Sequence, residues 1–158
     1  MFATGAVLDS FQSTAAAPRL VRGAITYVAG TTGAIGATSL FTVTGDVVIK
    51  HLSAKCTTDL TSGGAPTFDV GVTGATAVFV STAPDVTGWD AGEWLTDTPG
   101  YATATTYPPL GIDRIISANI IQTIASATIT GGVVRWYLQY VPLSGDGLVT
   151  LHANLTAF

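Results

Sequence analysis

The chain has 158 residues, of which 10% are charged, with six Lys and Arg against ten Asp and Glu and a net charge of −4. Ordinary soluble domains carry about 25% charged residues, so few groups here can move a proton, bind a metal or attack a carbonyl. The balance also argues against wrapping nucleic acid. Phosphate contacts need clustered Lys and Arg, and the six here (Arg19, Arg22, Lys50, Lys55, Arg114 and Arg135) are scattered.

The length fits one domain, large enough to bury a core without disulfides or metals. A single cysteine, Cys56, excludes an internal disulfide and is compatible with a reducing compartment. The opening Met1-Phe-Ala-Thr-Gly-Ala6 has no basic region ahead of an apolar stretch, so no secretion signal is visible. The longest apolar-rich segment, 112–129, is interrupted by Asp113, Arg114, Asn119 and Gln122 and is no membrane span. The expectation is a soluble protein assembled in a cytoplasm, with neither a membrane nor a nucleic-acid partner.

Residues 1–18 form a distinct opening segment, in which Phe2, Val7, Leu8 and Phe11 are spaced by small polar residues and Ala15-Ala-Ala-Pro18 closes the run. Two readings stand side by side: a loose terminus, or an arm that docks its apolar residues on a neighbouring subunit, since four large apolar side chains are costly to leave in water.

From Arg19 onward the period is two. Ile25 and Tyr27 alternate with Ala24, Thr26 and Val28. The run Gly30-Thr-Thr-Gly-Ala-Ile-Gly36 lacks the terminal Gly-Lys-Ser/Thr of a phosphate loop, and reads as a wide turn whose glycines allow positive φ. A second strand is expected over 40–44 and a third over 47–57, where Leu52, Ala54 and Cys56 share one face and His51, Ser53 and Lys55 the other. Val47 and Ile49 fall on the polar face of that register, which predicts a bulge near Lys50. A loop is expected over 59–66.

Phe68, Val70 and Val72 alternate with Asp69, Gly71 and Thr73, and Gly74 turns this strand into a hairpin partner over 75–81. Residues 84–98 read as a long loop with a short strand around 93–95. A further loop contains Tyr107-Pro-Pro109 as its stiff element. Residues 112–124, β-branched on both faces, read as one central strand covered on both sides. Val134, Trp136, Leu138 and Tyr140 are expected to point inward, with Arg135, Tyr137 and Gln139 outward. Pro142 stops that strand, Ser144-Gly-Asp-Gly147 turns, and 148–152 forms the last strand. Eight to ten short strands without helical period predict an all-β, single-domain antiparallel sandwich or barrel over 19–158.

Chemistry is sparse along this frame. Cys56 would need a base, and His51, five residues away on one strand, points to the opposite face; Cys56 reads as a small core hydrophobe. Zinc spacing is absent. Asp85, Asp90, Glu93 and Asp97 fall in one loop, but without a calcium-loop pattern they read as solvated carboxylates. Asp90 and Glu93 beside Trp89 and Trp94 superficially suit a glycosidase pair or a sugar platform. The plainer expectation is that such aromatics pin the loop to the core or to a neighbour.

The stretch Ala24-Ile-Thr-Tyr-Val-Ala-Gly-Thr-Thr-Gly-Ala-Ile-Gly-Ala-Thr-Ser-Leu-Phe-Thr-Val-Thr-Gly45 resembles tailed-bacteriophage virion structural proteins. Phe68-Asp-Val-Gly-Val-Thr-Gly74, Asp90-Ala-Gly-Glu-Trp94 and Val141-Pro-Leu-Ser-Gly-Asp-Gly147 extend the likeness in the same order, across most of 24–150. Residues 1–18 lie outside it. The resemblance, strongest to capsid decoration (cement) proteins, implies a non-enzymatic virion protein with a jelly-roll-like fold and no cofactor. It would sit on the outer face of a shell as a homo-oligomer, dimer or trimer, clamping neighbouring copies of the major capsid protein after assembly in a host cytoplasm.

The interface is expected to include Phe2, Val7, Leu8 and Phe11 of the arm, together with Trp89, Trp94 and Tyr137. A tail, baseplate or receptor-binding component contacting glycans through Trp89, Trp94, Tyr101 or Tyr107 is the alternative, and a hydrolase using Asp90 and Glu93 a further rival.

Overall fold

The computed structural model describes residues 17–81, 85–95, 101–102 and 110–158. The chain forms β1 (Arg19–Thr26), β2 (Gly36–Thr44), β3 (Val47–Ser62), β4 (Thr67–Val72), β5 (Ala75–Val80), a one-turn 3₁₀ helix (Val86–Gly88), β6 (Trp94–Leu95), β7 (Tyr101–Ala102), β8 (Leu110–Ile116), β9 (Ile120–Ala125), β10 (Ile129–Pro142) and β11 (Leu148–Leu151). The strands build two antiparallel sheets. The front sheet runs β1-β10-β3-β6-β7, with β8 also paired to β3; the back sheet runs β11-β2-β9-β4-β5.

Eight of these strands pair as β1 with β10, β2 with β9, β3 with β8 and β4 with β5. That is a long hairpin wound once around itself. Front-sheet order β1-β10-β3-β8 and back-sheet order β2-β9-β4-β5 follow from the winding, and they define a jelly roll. The expected all-β sandwich is therefore present, with its strand order resolved.

The core lies between the sheets. Ile25, Leu52, Ala54, Cys56, Val134, Trp136, Leu138 and Tyr140 from the front sheet meet Leu40, Phe41, Phe68, Val70, Ile120 and Ile124 from the back sheet, and all are buried. The alternation in β10 thus points inward as the sequence predicts. Each fully buried Leu, Ile or Phe side chain contributes about 1.5–3 kcal/mol relative to exposure. The wide turn is also where expected: Gly30 and Gly36 take φ of 78° and 122°, values strained for any residue with a Cβ.

The bulge predicted near Lys50 is real. Register shifts fall between Ile49 and His51 against β8, and between Gln139 and Tyr140 on β10. This lets Val47 and Ile49 turn inward with Leu52, all three fully buried.

Three expected boundaries are corrected. The second strand begins at Gly36, ahead of Leu40, and the third runs on to Ser62 because β10 continues to pair with it through Thr61 and Ser62. The expected single strand over 112–124 is two strands in different sheets: β8 pairs with β3 in front, and β9 pairs with β2 and β4 behind. Asn119 makes the corner. Its Oδ1 accepts the Val43 amide at 2.9 Å, and its carbonyl accepts the Thr73 amide at 2.9 Å. Apolar residues occur on both sides of this segment because the chain changes sheets within it. Ile116 and Ile120 are buried, whereas Ile115 is 68% exposed.

Beyond β11 the chain crosses back to the front sheet. Ala24 and Thr156 exchange two backbone hydrogen bonds of 2.8 and 2.9 Å along the outer edge of β1, which carries Phe158 onto the front sheet's outer face.

A candidate interface on the outer face of the front sheet

The outer face of the front sheet is built from the residues that alternate with the inward-facing ones. Cross-strand register sets Ala24, Arg135, Lys55 and Trp94 in one row across β1, β10, β3 and β6. Arg22, Tyr137 and Ser53 form the next row. Aromatic rings and cations then interleave. The Trp94 and Tyr137 rings lie 5.6 Å apart between centroids, and Tyr137 meets Phe158 edge-on at 5.5 Å.

Three cations cap this ladder. Lys55 Nζ sits 5.4 Å from the Trp94 ring centroid, and the guanidiniums of Arg22 and Arg135 lie 5.6 and 4.6 Å from that of Phe158. Ring pairs contribute about 0.5–1.5 kcal/mol beyond burial, and exposed cation–π contacts about 0.5–1 kcal/mol. The band is thus pre-ordered, with Arg22, Arg135 and Phe158 exposed and Lys55, Trp94 and Tyr137 half-buried. The ion pair found among the described residues, Lys50 with Asp113, lies elsewhere. Trp, Tyr and Arg side chains in this state are those enriched at protein–protein contacts.

Trp94 and Tyr137, two of the residues expected at an interface, are brought together here. Trp89 is not. Its side chain is 0% exposed, packed 5.9 Å from the Phe68 ring, with Nε1 donating to the Glu93 carbonyl at 3.0 Å. A ring enclosed in its own protomer offers no surface to a partner or a sugar, and its place in the interface is corrected to the core. Phe2, Val7, Leu8 and Phe11 lie outside the described residues, as does Tyr107, and the description of Tyr101 stops at its backbone.

The acidic loop is a structural clasp. Glu93 Oε2 accepts the Asp90 amide at 3.0 Å, Asp59 Oδ1 accepts the Ala91 amide at 2.7 Å, and Asp85 Oδ1 accepts the amide and hydroxyl of Thr87 at 3.0 and 2.8 Å. Backbone bonds from Cys56 to Glu93 and from Gly92 to Cys56, each 2.9 Å, fasten the loop to β3. The Asp90–Glu93 pair considered for glycosidase chemistry instead closes a turn, while Trp89 pins the loop to the core as the plainer expectation held. Asp97 lies outside the described residues.

Cys56 faces the core and is fully buried, and burial pushes its thiol up to about 11. Its Sγ donates to the Thr58 carbonyl at 3.2 Å. A neutral, enclosed thiol is a poor nucleophile. His51 points to the other face, as the strand parity predicts, and lies 3.0 Å from Ser53 Oγ. Desolvation lowers its pKa.

The sequence reading missed Arg22, Lys55, Arg135 and Phe158 as members of this cation–aromatic band. Parity placed Arg135 beside Tyr137 and Lys55 on the opposite face from Cys56, so half of the signal was present. Phe158 gave none, because its position depends on the tail returning to β1.

No known protein-family pattern matches the chain, and no curated protein matches it. Among solved structures it is similar to a chain of the cyanophage Pam1 capsid asymmetric unit, at 21% identity and a TM-score of 0.48, covering 78% of this chain and 84% of that one. It is also similar to a chain of the acid-stable capsid of Helicobacter pylori bacteriophage KHP30, at 10% identity and a TM-score of 0.46, covering 86% of this chain and 100% of the other.

Proposed function

We propose that this protein is a non-enzymatic structural component of a phage virion, which decorates the outer surface of the capsid and stabilises it by bridging neighbouring capsid subunits. The observation that carries the reading is the cation–aromatic band of Lys55, Trp94, Tyr137, Phe158, Arg22 and Arg135, spread across four strands of a sheet face. Such a surface suits a broad protein partner rather than a small substrate. The ordered motif resemblance over most of 24–150 supplies the virion context. Tyr27, Cys56, Asp59, Asp85 and Glu93 are engaged in structural hydrogen bonds, which fits a protein whose work is contact.

In this reading the 1–18 segment is a second attachment, using Phe2, Val7, Leu8 and Phe11 on a neighbouring subunit, and the working form is a homo-oligomer. The test is reconstitution: purified protein is added to particles that lack it, and occupancy is read by electron microscopy. Full-length protein is expected on the shell, with occupancy falling when residues 1–18 are removed from an otherwise folded core. Unchanged occupancy after the deletion would sink the arm. Density on the tail in place of the shell would replace the capsid reading with a tail or receptor-binding role.

A further inference from the structure

The charges of this chain are sorted by sheet. All six Lys and Arg lie on strands of the front sheet: Arg19 and Arg22 in β1, Lys50 and Lys55 in β3, Arg114 in β8 and Arg135 in β10. Those strands carry two carboxylates, Asp59 and Asp113. The first accepts the Ala91 amide and the second pairs with Lys50. The back-sheet strands have no Lys or Arg and one carboxylate, Asp69. A chain of net charge −4 thus keeps its positive charge on one of its two layers.

Three of these cations meet on the outer face of that layer without a countercharge. Arg135 and Lys55 are direct cross-strand partners, a placement in which like charges destabilise a sheet. Arg22 joins them across the Phe158 ring. Among the described residues no carboxylate forms an ion pair with any of the three. With strands about 4.8 Å apart and about 3.3 Å per residue along each, the three span about 10–12 Å. The rings beside them are not open platforms, because Phe158 carries two guanidiniums and Trp94 an ammonium. A sugar or a nucleobase would have to displace a cation to stack there. A carboxylate needs only the N–H groups of those same cations.

We propose that this face docks an acidic protein segment, whose carboxylates meet Arg22, Arg135 and Lys55 while the back sheet is turned away. The partner supplies the countercharge that the three cations lack. The negative charge of the rest of the chain disfavours the other approaches, so complementarity fixes the orientation as well as the site. An extended segment repeats its side chains on one face about every 6.6 Å, so two or three alternate carboxylates cover the span. The proposal deepens the capsid reading and rests on it for the partner's identity, but not for its chemistry.

The experiment uses the full chain in fluorescence anisotropy, with three labelled probes: a peptide of alternating Glu and Ser, a heparin oligosaccharide and an oligothymidylate. Wild type is expected to bind the peptide, and to weaken at least 10-fold between about 50 and about 300 mM NaCl. Lys55→Glu and Arg135→Glu are each expected to raise the dissociation constant at least 10-fold, and Arg135→Lys to stay within about 3-fold of wild type. Thr150→Glu, which puts a carboxylate on an exposed position of back-sheet strand β11, should bind as wild type does. Unaltered urea midpoints establish that the variants fold. Absence of peptide binding, or binding that neither reversal weakens, overturns the proposal. Binding of heparin or the oligonucleotide without the peptide overturns it as well, and gives the face to a sulfated glycan or a nucleic acid. So does self-association of the wild type that Arg135→Glu abolishes, which gives the face to a second copy. The same variants added to particles keep the two readings apart. Shell occupancy that both reversals leave intact defeats the acidic docking and spares the capsid role. Peptide binding without any occupancy of the shell does the opposite.

Discussion

The Tyr27 hydroxyl donates a 2.8 Å hydrogen bond to Gln122 Oε1 in the middle of the sandwich. Tyr27 follows the last residue of β1 in the front sheet and Gln122 sits in β9 of the back sheet, so the bond ties the two layers through the core. Both side chains are buried, and burial raises the Tyr27 pKa, keeping the phenol protonated as a donor across the ordinary pH range.

Removing one side of that pair is expected to cost more than removing both. Tyr27→Phe leaves a buried amide oxygen without its donor, a penalty of about 1–3 kcal/mol. Tyr27→Phe with Gln122→Leu removes both polar groups, and is expected to recover most of the loss. Urea unfolding of the two single variants and the double variant measures the coupling. Additive losses would contradict it.

Trp89 is the anchor of the acidic loop. Trp89→Ala is expected to destabilise by about 3–5 kcal/mol, the usual range for emptying a large aromatic site. It should also loosen 85–95, since the Glu93 carbonyl loses its indole donor. Hydrogen exchange should then speed at Gly92, whose amide bonds to the Cys56 carbonyl. Trp94→Ala removes only a half-buried ring, and its cost is expected to be clearly smaller.

Cys56 makes a prediction at alkaline pH. Its thiol is pushed up from 9.0 to about 11 in the folded chain, so between those values the unfolded state has released a proton that the folded state still holds. Stability should therefore fall as pH rises from about 9 towards 11. In Cys56→Ala that part of the decline should be absent. The same burial predicts slow reaction with an exchange-active disulfide reagent at pH 8, becoming fast only on unfolding.

His51 acts at the other end of the scale. Its folded pKa is lowered below 6.5 by desolvation, so the unfolded chain takes up the proton first as pH falls. The stabilisation is present above about 6.5 and declines below it, levelling off once pH passes the folded pKa. His51→Gln is expected to flatten this portion of the stability profile, measured by thermal melts from pH 8 to 5.

The strand content was legible because the pattern of period two survives wherever one face is buried: Val134 to Tyr140 could be assigned by reading every second residue. The bulge at Lys50 was legible for the same reason, as a break in parity. What could not be read was anything fixed by distant partners. The corner at Asn119 sits inside an unbroken β-branched run, and it becomes a corner only because Val43 and Thr73 bond to it. Trp89 and Trp94 are alike in composition and five residues apart, yet one is enclosed against Phe68 and the other lies on the surface beside Tyr137. The parity of a strand separates inside from outside; in a loop, no parity exists.

The winding of the jelly roll has a consequence for the order in which the chain can fold. β1 at Arg19–Thr26 pairs with Val133–Tyr140, so the first strand waits for a partner more than a hundred residues downstream. At translation speeds of about 5–20 residues per second, that wait lasts several seconds or more, whereas β4 and β5 can pair at once across Gly74. Contacts this remote in sequence make folding slow. The outer face of the front sheet needs β1, β10 and the returning tail together, so it cannot exist until the last residues of the described chain are in place. A partner that recognises it can recognise only a finished molecule.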